Sequence, residues 1–186
     1  MAKAALLVMD VQNGVLKMAN ASESYFQRLA ATTAGARAAG LPVIYIKSFL
    51  RKGFPDASSR NKVVSRVASL GPDVFVEGSP FTEFPPEVVP VEGDAIVVKR
   101  RNSSFAGTDL EVLLRSQGIE HILLLGVMTS GVVLSTVRQA ADLDYQITVI
   151  EDLCLDVNPD VHQLLMTKVF PMQASVVSSE AAIKGL

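Results

Sequence analysis

Six short apolar runs, at residues 4–9, 42–47, 95–99, 121–126, 146–150 and 174–177, recur along the chain with longer helical patterns between most of them. That alternation is the pattern of parallel strands joined by crossover helices, and it limits the fold more than any other feature. The runs are apolar almost throughout, so each strand is expected to be covered on both faces. Helical patterns at 23–39, 109–117, 130–143 and 159–170 carry recognisable ends: Gly40, Gly118 and Pro171 are stop signals, and Asn158-Pro159 reads as an N-cap with proline at the first helical position. The expected architecture is α/β, a three-layer α/β/α arrangement around a doubly wound, six-stranded parallel sheet of Rossmann-like kind. A length of 186 residues with 49% hydrophobic content suits one domain spanning the whole of 1–186 and can bury a substantial core.

The stretch 49–94 breaks this rhythm. It holds most of the prolines, and its segment Ser79-Pro80-Phe81-Thr82-Glu83-Phe84-Pro85-Pro86 cannot be regular helix. One helical piece is expected near 61–69 within an otherwise irregular excursion. Its aromatic and charged content suits a lid or pocket wall, or equally an oligomer contact.

Several function classes are disfavoured by charge and composition. The net charge is -2 and no basic run is longer than Lys99-Arg100-Arg101, which gives little attraction to nucleic acid. No segment approaches the roughly 18 uncharged apolar residues of a membrane-spanning helix. The start, Met1-Ala2-Lys3-Ala4, leads into an apolar run cut short at Asp10, unlike a secretory segment. Cys154 is the only cysteine, which rules out an internal disulfide and a multi-cysteine metal site and fits a reducing compartment. The expectation is a soluble cytoplasmic protein with a small-molecule substrate and neither a nucleic-acid nor a membrane partner.

In open α/β sheets, ligands bind beyond the carboxyl ends of the strands, and three such ends here carry polar or helix-opening groups. Asp10 follows Leu6-Leu7-Val8-Met9 and precedes Val11-Gln12-Asn13-Gly14. There a carboxylate can move a proton if burial and a neighbouring cation set its pKa, or it can simply cap a turn or make a structural ion pair. Lys99 ends the run Ala95-Ile96-Val97-Val98. It can hold a nearby carboxylate ionised or steady a developing anion, or its amine can reach solvent. The third end, Ile122 to Gly126, opens into Val127-Met128-Thr129-Ser130-Gly131-Val132-Val133.

In this order, the three segments resemble the isochorismatase-like hydrolase superfamily, which includes nicotinamidases, N-carbamoylsarcosine amidases and isochorismatases. The resemblance rests on Asp10, on Val97-Val98-Lys99-Arg100-Arg101 followed by Ser104-Phe105 and Thr108-Asp109-Leu110, and on Gly126-Val127-Met128-Thr129, and it runs from residue 5 to about 177. It implies a six-stranded parallel sheet and a site formed at those three strand ends. Amidases of this group use an Asp-Lys-Cys triad, with backbone amides beside a cis peptide binding the oxyanion. Asp10 and Lys99 match the first two members, and the Val127–Met128 bond is expected to be cis. Val127, Met128, Thr129, Gln12 and Phe105 are expected at the oxyanion site or pocket. Family members are commonly dimers or tetramers, so a homo-oligomer is expected.

The departure is at the nucleophile, because Val132 stands where the amidases have cysteine. Valine forms no thioester, which disfavours cysteine-dependent amide hydrolysis. Cys154 follows a different strand and reads as a small buried hydrophobe. Thr129, Ser130 and Ser135 offer hydroxyls, but Ser130 would point about 200° away from the nucleophile position around a helix and Ser135 lies deeper. Capping of the helix is the simpler account of Thr129 or Ser130. Isochorismatases also lack the cysteine, and there the aspartate is thought to protonate the substrate's vinyl ether so that water completes the cleavage. Asp10 would then need a raised pKa, which Lys99 opposes. Those members usually carry glycine at the vacant position, so Val132 narrows the pocket by comparison.

Arg51 or Arg101 could hold substrate carboxylates. Phe49, Phe54, Phe81 and Phe105 could wall the pocket or pack elsewhere. No metal or other cofactor is expected: after the second strand the chain reads Lys47-Ser48-Phe49-Leu50-Arg51, without the Asp-x-His pair of nicotinamidases, and His121 and His162 lie far apart. Three readings stay open: a hydrolase working without a covalent thioester through Asp10 and Lys99, a non-catalytic binding or assembly protein of the same fold, and a serine-dependent amidase.

Overall fold

The computed structural model describes residues 3–186. The reading of the extreme N-terminus at Met1 and Ala2 therefore lies outside the described residues. Six strands, β1 (Ala4–Met9), β2 (Val43–Ser48), β3 (Ala95–Lys99), β4 (His121–Val127), β5 (Gln146–Leu155) and β6 (Ser175–Val177), form one sheet in the order β3-β2-β1-β4-β5-β6. Every pairing is parallel. The chain winds outward from β1 to β3, then returns to lay β4 on the other side of β1. The carboxyl ends of β1 and β4 therefore flank the topological switch point, where such a sheet leaves a crevice.

β1 shows why the runs are apolar throughout. Its residues alternate between faces, so Ala5, Leu7 and Met9 enter one core and Leu6 and Val8 the other. The first core is closed by Leu110 and Leu114 of α4 (Leu110–Ser116) and by Val137 and Ala140 of α5 (Leu134–Asp142). The second is closed by Tyr25, Leu29 and Ala36 of α2 (Glu23–Ala38) and by Ala182 of α7 (Ser179–Lys184). Side chains of β1 from Ala5 to Met9 are thus fully buried on both faces, as the sequence pattern requires.

The excursion contributes α3 (Lys62–Ala68), capped by Asn61 Oδ1, which accepts the Val64 N–H at 3.2 Å. Its return leg is tied beneath β1: Gln12 Nε2 donates to the carbonyls of Ser48 and Thr82, and Gln12 Oε1 accepts the Ser48 N–H. The Phe81 ring then lies against Gly14, where a Cβ would come within 2.2 Å of it.

The structure differs from the sequence reading in five elements. A short α1 (Asn13–Met18) and the C-terminal α7 lie outside the helical patterns noted, because six residues show too little of a 3.6-residue period. β5 runs on to Leu155 through Glu151 and Asp152: Asp152 is satisfied by the Ser179 N–H at 2.7 Å and the Ser179 hydroxyl at 2.6 Å, and Glu151 is exposed. The helix expected at 130–143 starts as a π-helical turn, Thr129–Val133, before α5. The helix expected at 159–170 is α6 (Pro159–Leu164), a π-helical turn Leu165–Val169 and a 3₁₀ turn Phe170–Met172. Its Asn158 cap and first-position proline are as read, with Asn158 Oδ1 accepting the Asp160 and Val161 N–H groups.

Candidate active site

Asp10 is set by the strand it ends. Its N–H donates to Ile46 O at 2.9 Å, continuing the ladder to β2, and its φ of 54° then turns the chain out of the sheet. The turn aims the carboxylate across the end of β2 towards β3, where Lys99 Nζ lies 2.8 Å from Oδ2. Nζ also donates to Arg101 O at 3.0 Å. Both residues are buried, Asp10 with 8% and Lys99 with 3% of its surface exposed. Burial pushes the Asp10 carboxyl above its ordinary range, and the Lys99 charge and hydrogen bond pull against that shift. Asp10 Oδ1 is buried with no hydrogen-bond partner among the described residues. A buried carboxylate oxygen without a donor is unfavourable unless something fills the place.

The third strand end completes the surround. Gly126 passes so near β1 that a Cβ would lie 2.4 Å from Met9 O, which is why only glycine fits. The Val127–Met128 peptide is cis, in agreement with what the family resemblance implies. Met128 O then accepts the N–H groups of Gly131 at 3.1 Å and Val133 at 3.3 Å, forming the π-helical turn. Val127, Met128, Ser130, Gly131 and Val132 join Asp10 and Lys99 around a cavity of about 400 Å³. Val132 is 3% exposed and puts an isopropyl group on the cavity wall, at the position where the family resemblance implies a nucleophile.

Of the other residues singled out from the sequence, Arg101 also reaches the cavity and the rest lie elsewhere. Phe105 packs in the core, stacked on Tyr145 with ring centroids 5.8 Å apart, because Ser103 and Ser104 turn the chain back onto α5 through Gln139 and Thr136. Gln12 is fully buried and spent on Ser48 and Thr82, so it braces the site from behind rather than lining it. Thr129 and Ser130 do not cap the turn. Thr129 Oγ1 is paired with His162 Nδ1 at 2.9 Å, and the Ser130 N–H is taken by Asp156 Oδ2 at 2.7 Å, so a carboxylate from the segment after β5 does the capping. Ser135 is not among the cavity-lining residues, whereas Ser130 is.

Arg51 is held by Asp56 at 3.2 Å outside the lining, while Arg101 lines the cavity. Phe49 carries the Arg100 guanidinium over its ring at 5.5 Å, and Phe81 packs edge-on against Phe75 at 5.9 Å. Phe54 lies against the core on the α2 side. Cys154 sits beside Gly126 on β5, buried, with its thiol pushed up to about 12 by burial. His121 pairs with Thr148 at the opposite end of the sheet. No group of three or more His, Cys, Asp or Glu side chains placed to hold a metal occurs among the described residues.

The sequence reading missed His162 and Asp156, which brace the Thr129–Ser130 pair, and Val63, Arg66, Val67 and Phe75, which the excursion brings to the cavity. No spacing signal marks the first two, since their role depends on where β5 ends. For Val63, Arg66 and Val67, the helical spacing within α3 was the available clue.

Comparison with known proteins gives a consistent result. The sequence profile of the isochorismatase domain matches residues 4–181. The chain is 30% identical over 179 residues to the ureidoacrylate amidohydrolase RutB of Enterobacter sp. (strain 638), covering 86% of this chain and 78% of that protein. An isochorismatase family protein from Desulfovibrio vulgaris subsp. vulgaris str. Hildenborough superposes with a TM-score of 0.87 at 25% identity, covering 100% of this chain and 98% of the other. N-carbamoylsarcosine amidase from Thermoplasma acidophilum superposes with a TM-score of 0.76 at 25% identity, covering 96% and 97%.

Proposed function

The chain belongs to the isochorismatase family, and from that premise we propose that it is a hydrolase of a small-molecule substrate that works without a covalent thioester, with Asp10 as general acid and base and Lys99 as its electrostatic partner. One observation carries the reading: a buried Asp10–Lys99 ion pair, 2.8 Å apart, that lines the cavity beside the cis Val127–Met128 turn. In a site that only packed, apolar groups could replace such a buried pair at no loss of stability.

In the proposed reaction, a water in the cavity hydrogen-bonded to the Asp10 carboxylate gives up a proton to it as the water oxygen attacks the substrate carbonyl. Asp10 then returns the proton to the leaving group, so no proton is left over. The Ser130 and Gly131 N–H groups of the turn are spent on Asp156 and Met128 O, so the developing oxyanion would look to those of Met128, Thr129 and Val132. Lys99 favours the ionised Asp10 that accepts the proton, while burial favours the protonated form that delivers it. Burial is also what a protonating role towards a vinyl ether requires, so isochorismate belongs in the substrate panel.

The test is turnover of a panel of small amides, ureido acids, esters and isochorismate, read as ammonia, acid or pyruvate released, by wild type and Asp10→Asn. Turnover by wild type that Asp10→Asn loses supports the reading. A wild type inert across the panel supports the alternative of a non-catalytic protein of this fold, which Val132 favours.

A further inference from the structure

Lys99 divides its ammonium between two acceptors, the Asp10 carboxylate at 2.8 Å and the Arg101 carbonyl at 3.0 Å. An ammonium on a flexible stem takes its direction from where its acceptors stand, so the place of Arg101 O bears on how Lys99 meets Asp10. The sheet does not fix that carbonyl. Ser48 and Lys99 are the last register pair between β2 and β3, and Arg101 lies two residues beyond it.

The excursion supplies the missing anchor through Asp56. Its carboxylate Oδ2 lies 3.0 Å from Arg100 Nε, a charge contact whose N–H is not aligned as a hydrogen bond, and its backbone carbonyl accepts the Arg101 guanidinium at 3.2 Å. The same carboxylate accepts the Arg51 N–H at 3.2 Å and the Arg51 guanidinium at 3.2 Å, which closes its own loop. The Arg100 guanidinium also lies over the Phe49 ring at 5.5 Å. With 11% of its side chain exposed, Asp56 is not the open, strongly hydrated kind of surface ion pair that contributes little. One loop residue thus grips two consecutive residues beyond β3, and the carbonyl of the second is the acceptor Lys99 uses.

We propose that Asp56 is a positioning residue for the Asp10–Lys99 pair. Through Arg100 and Arg101 it holds the Arg101 carbonyl in place, and that carbonyl aims the Lys99 ammonium at Asp10. The positioning is a property of the pair; that it serves turnover rests on the hydrolytic reading.

Removal of the Asp56 charge has two opposed effects at Asp10. Arg51 and Arg100 lose their counter-charge, and the added positive potential alone would lower the Asp10 pKa. Release of the Arg101 carbonyl lets the ammonium move off Asp10, and the downward pull of Lys99 then weakens, which raises it. The other charged groups lining the cavity, Arg66, Arg100 and Arg101, are all cations and belong with the first effect. The sign therefore separates positioning from bare charge.

The test is a carbon-13 NMR titration of the Asp10 carboxyl, assigned by its loss in Asp10→Asn, in wild type, Asp56→Asn and Arg51→Gln. Asp56→Asn is expected to move the Asp10 pKa up by at least about 0.5, and Arg51→Gln, which spares the ties to Arg100 and Arg101, to leave it unraised. Should Asp56→Asn fail to fold, Arg101→Lys takes its place with the same upward move expected, since it keeps the charge but gives up the planar fork. On any substrate turned over, Asp56→Asn should lower kcat about tenfold with KM changed less, and shift the acid limb of the pH profile with Asp10. An Asp10 pKa that falls or stays in Asp56→Asn, or that rises equally in Arg51→Gln, overturns the proposal. An upward move in a protein inert across the substrate panel overturns the hydrolytic reading and leaves the positioning standing. Turnover that needs Asp10 but is untouched in Asp56→Asn, with the Asp10 pKa unmoved, does the reverse.

Discussion

Asp10 and Lys99 illustrate what a sequence discloses about a residue and what it withholds. Each ends an apolar run, so their places at strand ends were legible. That they meet was implied only by the family resemblance and not by spacing, because β2 lies between their strands and the 2.8 Å contact depends on the positive φ that swings Asp10 across it. Burial carries the Asp10 carboxyl above its ordinary 3.8, so in the pH interval between that value and the folded one the folded protein keeps a proton that the unfolded chain has released. The stability this group contributes is therefore full below 3.8 and is lost as pH rises through the folded value, opposite to the usual carboxylate. Denaturant unfolding between about pH 4 and pH 6 should show wild type losing stability relative to Asp10→Asn; a relative gain would mean that Lys99 outweighs burial. Val132→Cys places a thiol beside the pair, and iodoacetamide should add to the native variant once, at position 132, and not to the wild type, whose Cys154 is buried with a pKa of about 12. Mass spectrometry reads this directly, and a native wild type that is alkylated would contradict the packing described around Cys154.

Among the elements, the long apolar strands and the helices with clear stop signals were legible, since burial on two faces and capping chemistry are both written in residue types. What the sequence concealed were elements defined by their partners. The π-helical turn at Thr129–Val133 arises where the chain leaves β4 and is held by Asp156 and His162, residues more than twenty-five positions on. Phe105 illustrates the same limit, since it was expected at the pocket, whereas Ser103 and Ser104 anchor the loop to α5 and send the ring into the core. Gln12 is the strongest case, an amide that looked like a pocket residue and that ties β1, β2 and the excursion together. Gln12→Ala should leave the Ser48 N–H and the Thr82 carbonyl buried without their partner and destabilise the fold by about 3 kcal/mol. A loss below about 0.5 kcal/mol in denaturant unfolding would show that the excursion is held by other contacts.

At the scale of the molecule, one sheet feeds two cores, and every residue of β1 from Ala5 to Met9 belongs to one or the other. Neither core can open without exposing the sheet that supports its neighbour. Tyr25 and Tyr45 report on one core and Tyr145 on the other, and the chain has no tryptophan to mask them. Unfolding followed by tyrosine fluorescence and by far-ultraviolet circular dichroism should therefore give one coincident transition, while separated transitions would show that the layers unfold independently. The same topology places the ends of β1 and β4 at the switch point and brings Lys99 to them across β2, so the site belongs to the sheet as a whole. The central claim is that its chemistry runs from Asp10 and water, with Val132 in the place of a nucleophile. The most direct measurement is the kcat of Asp10→Asn relative to wild type on a panel compound that the wild type turns over. The account predicts a loss of at least about 100-fold with KM little changed, the size expected for removal of a general acid–base; equal kcat values would contradict it.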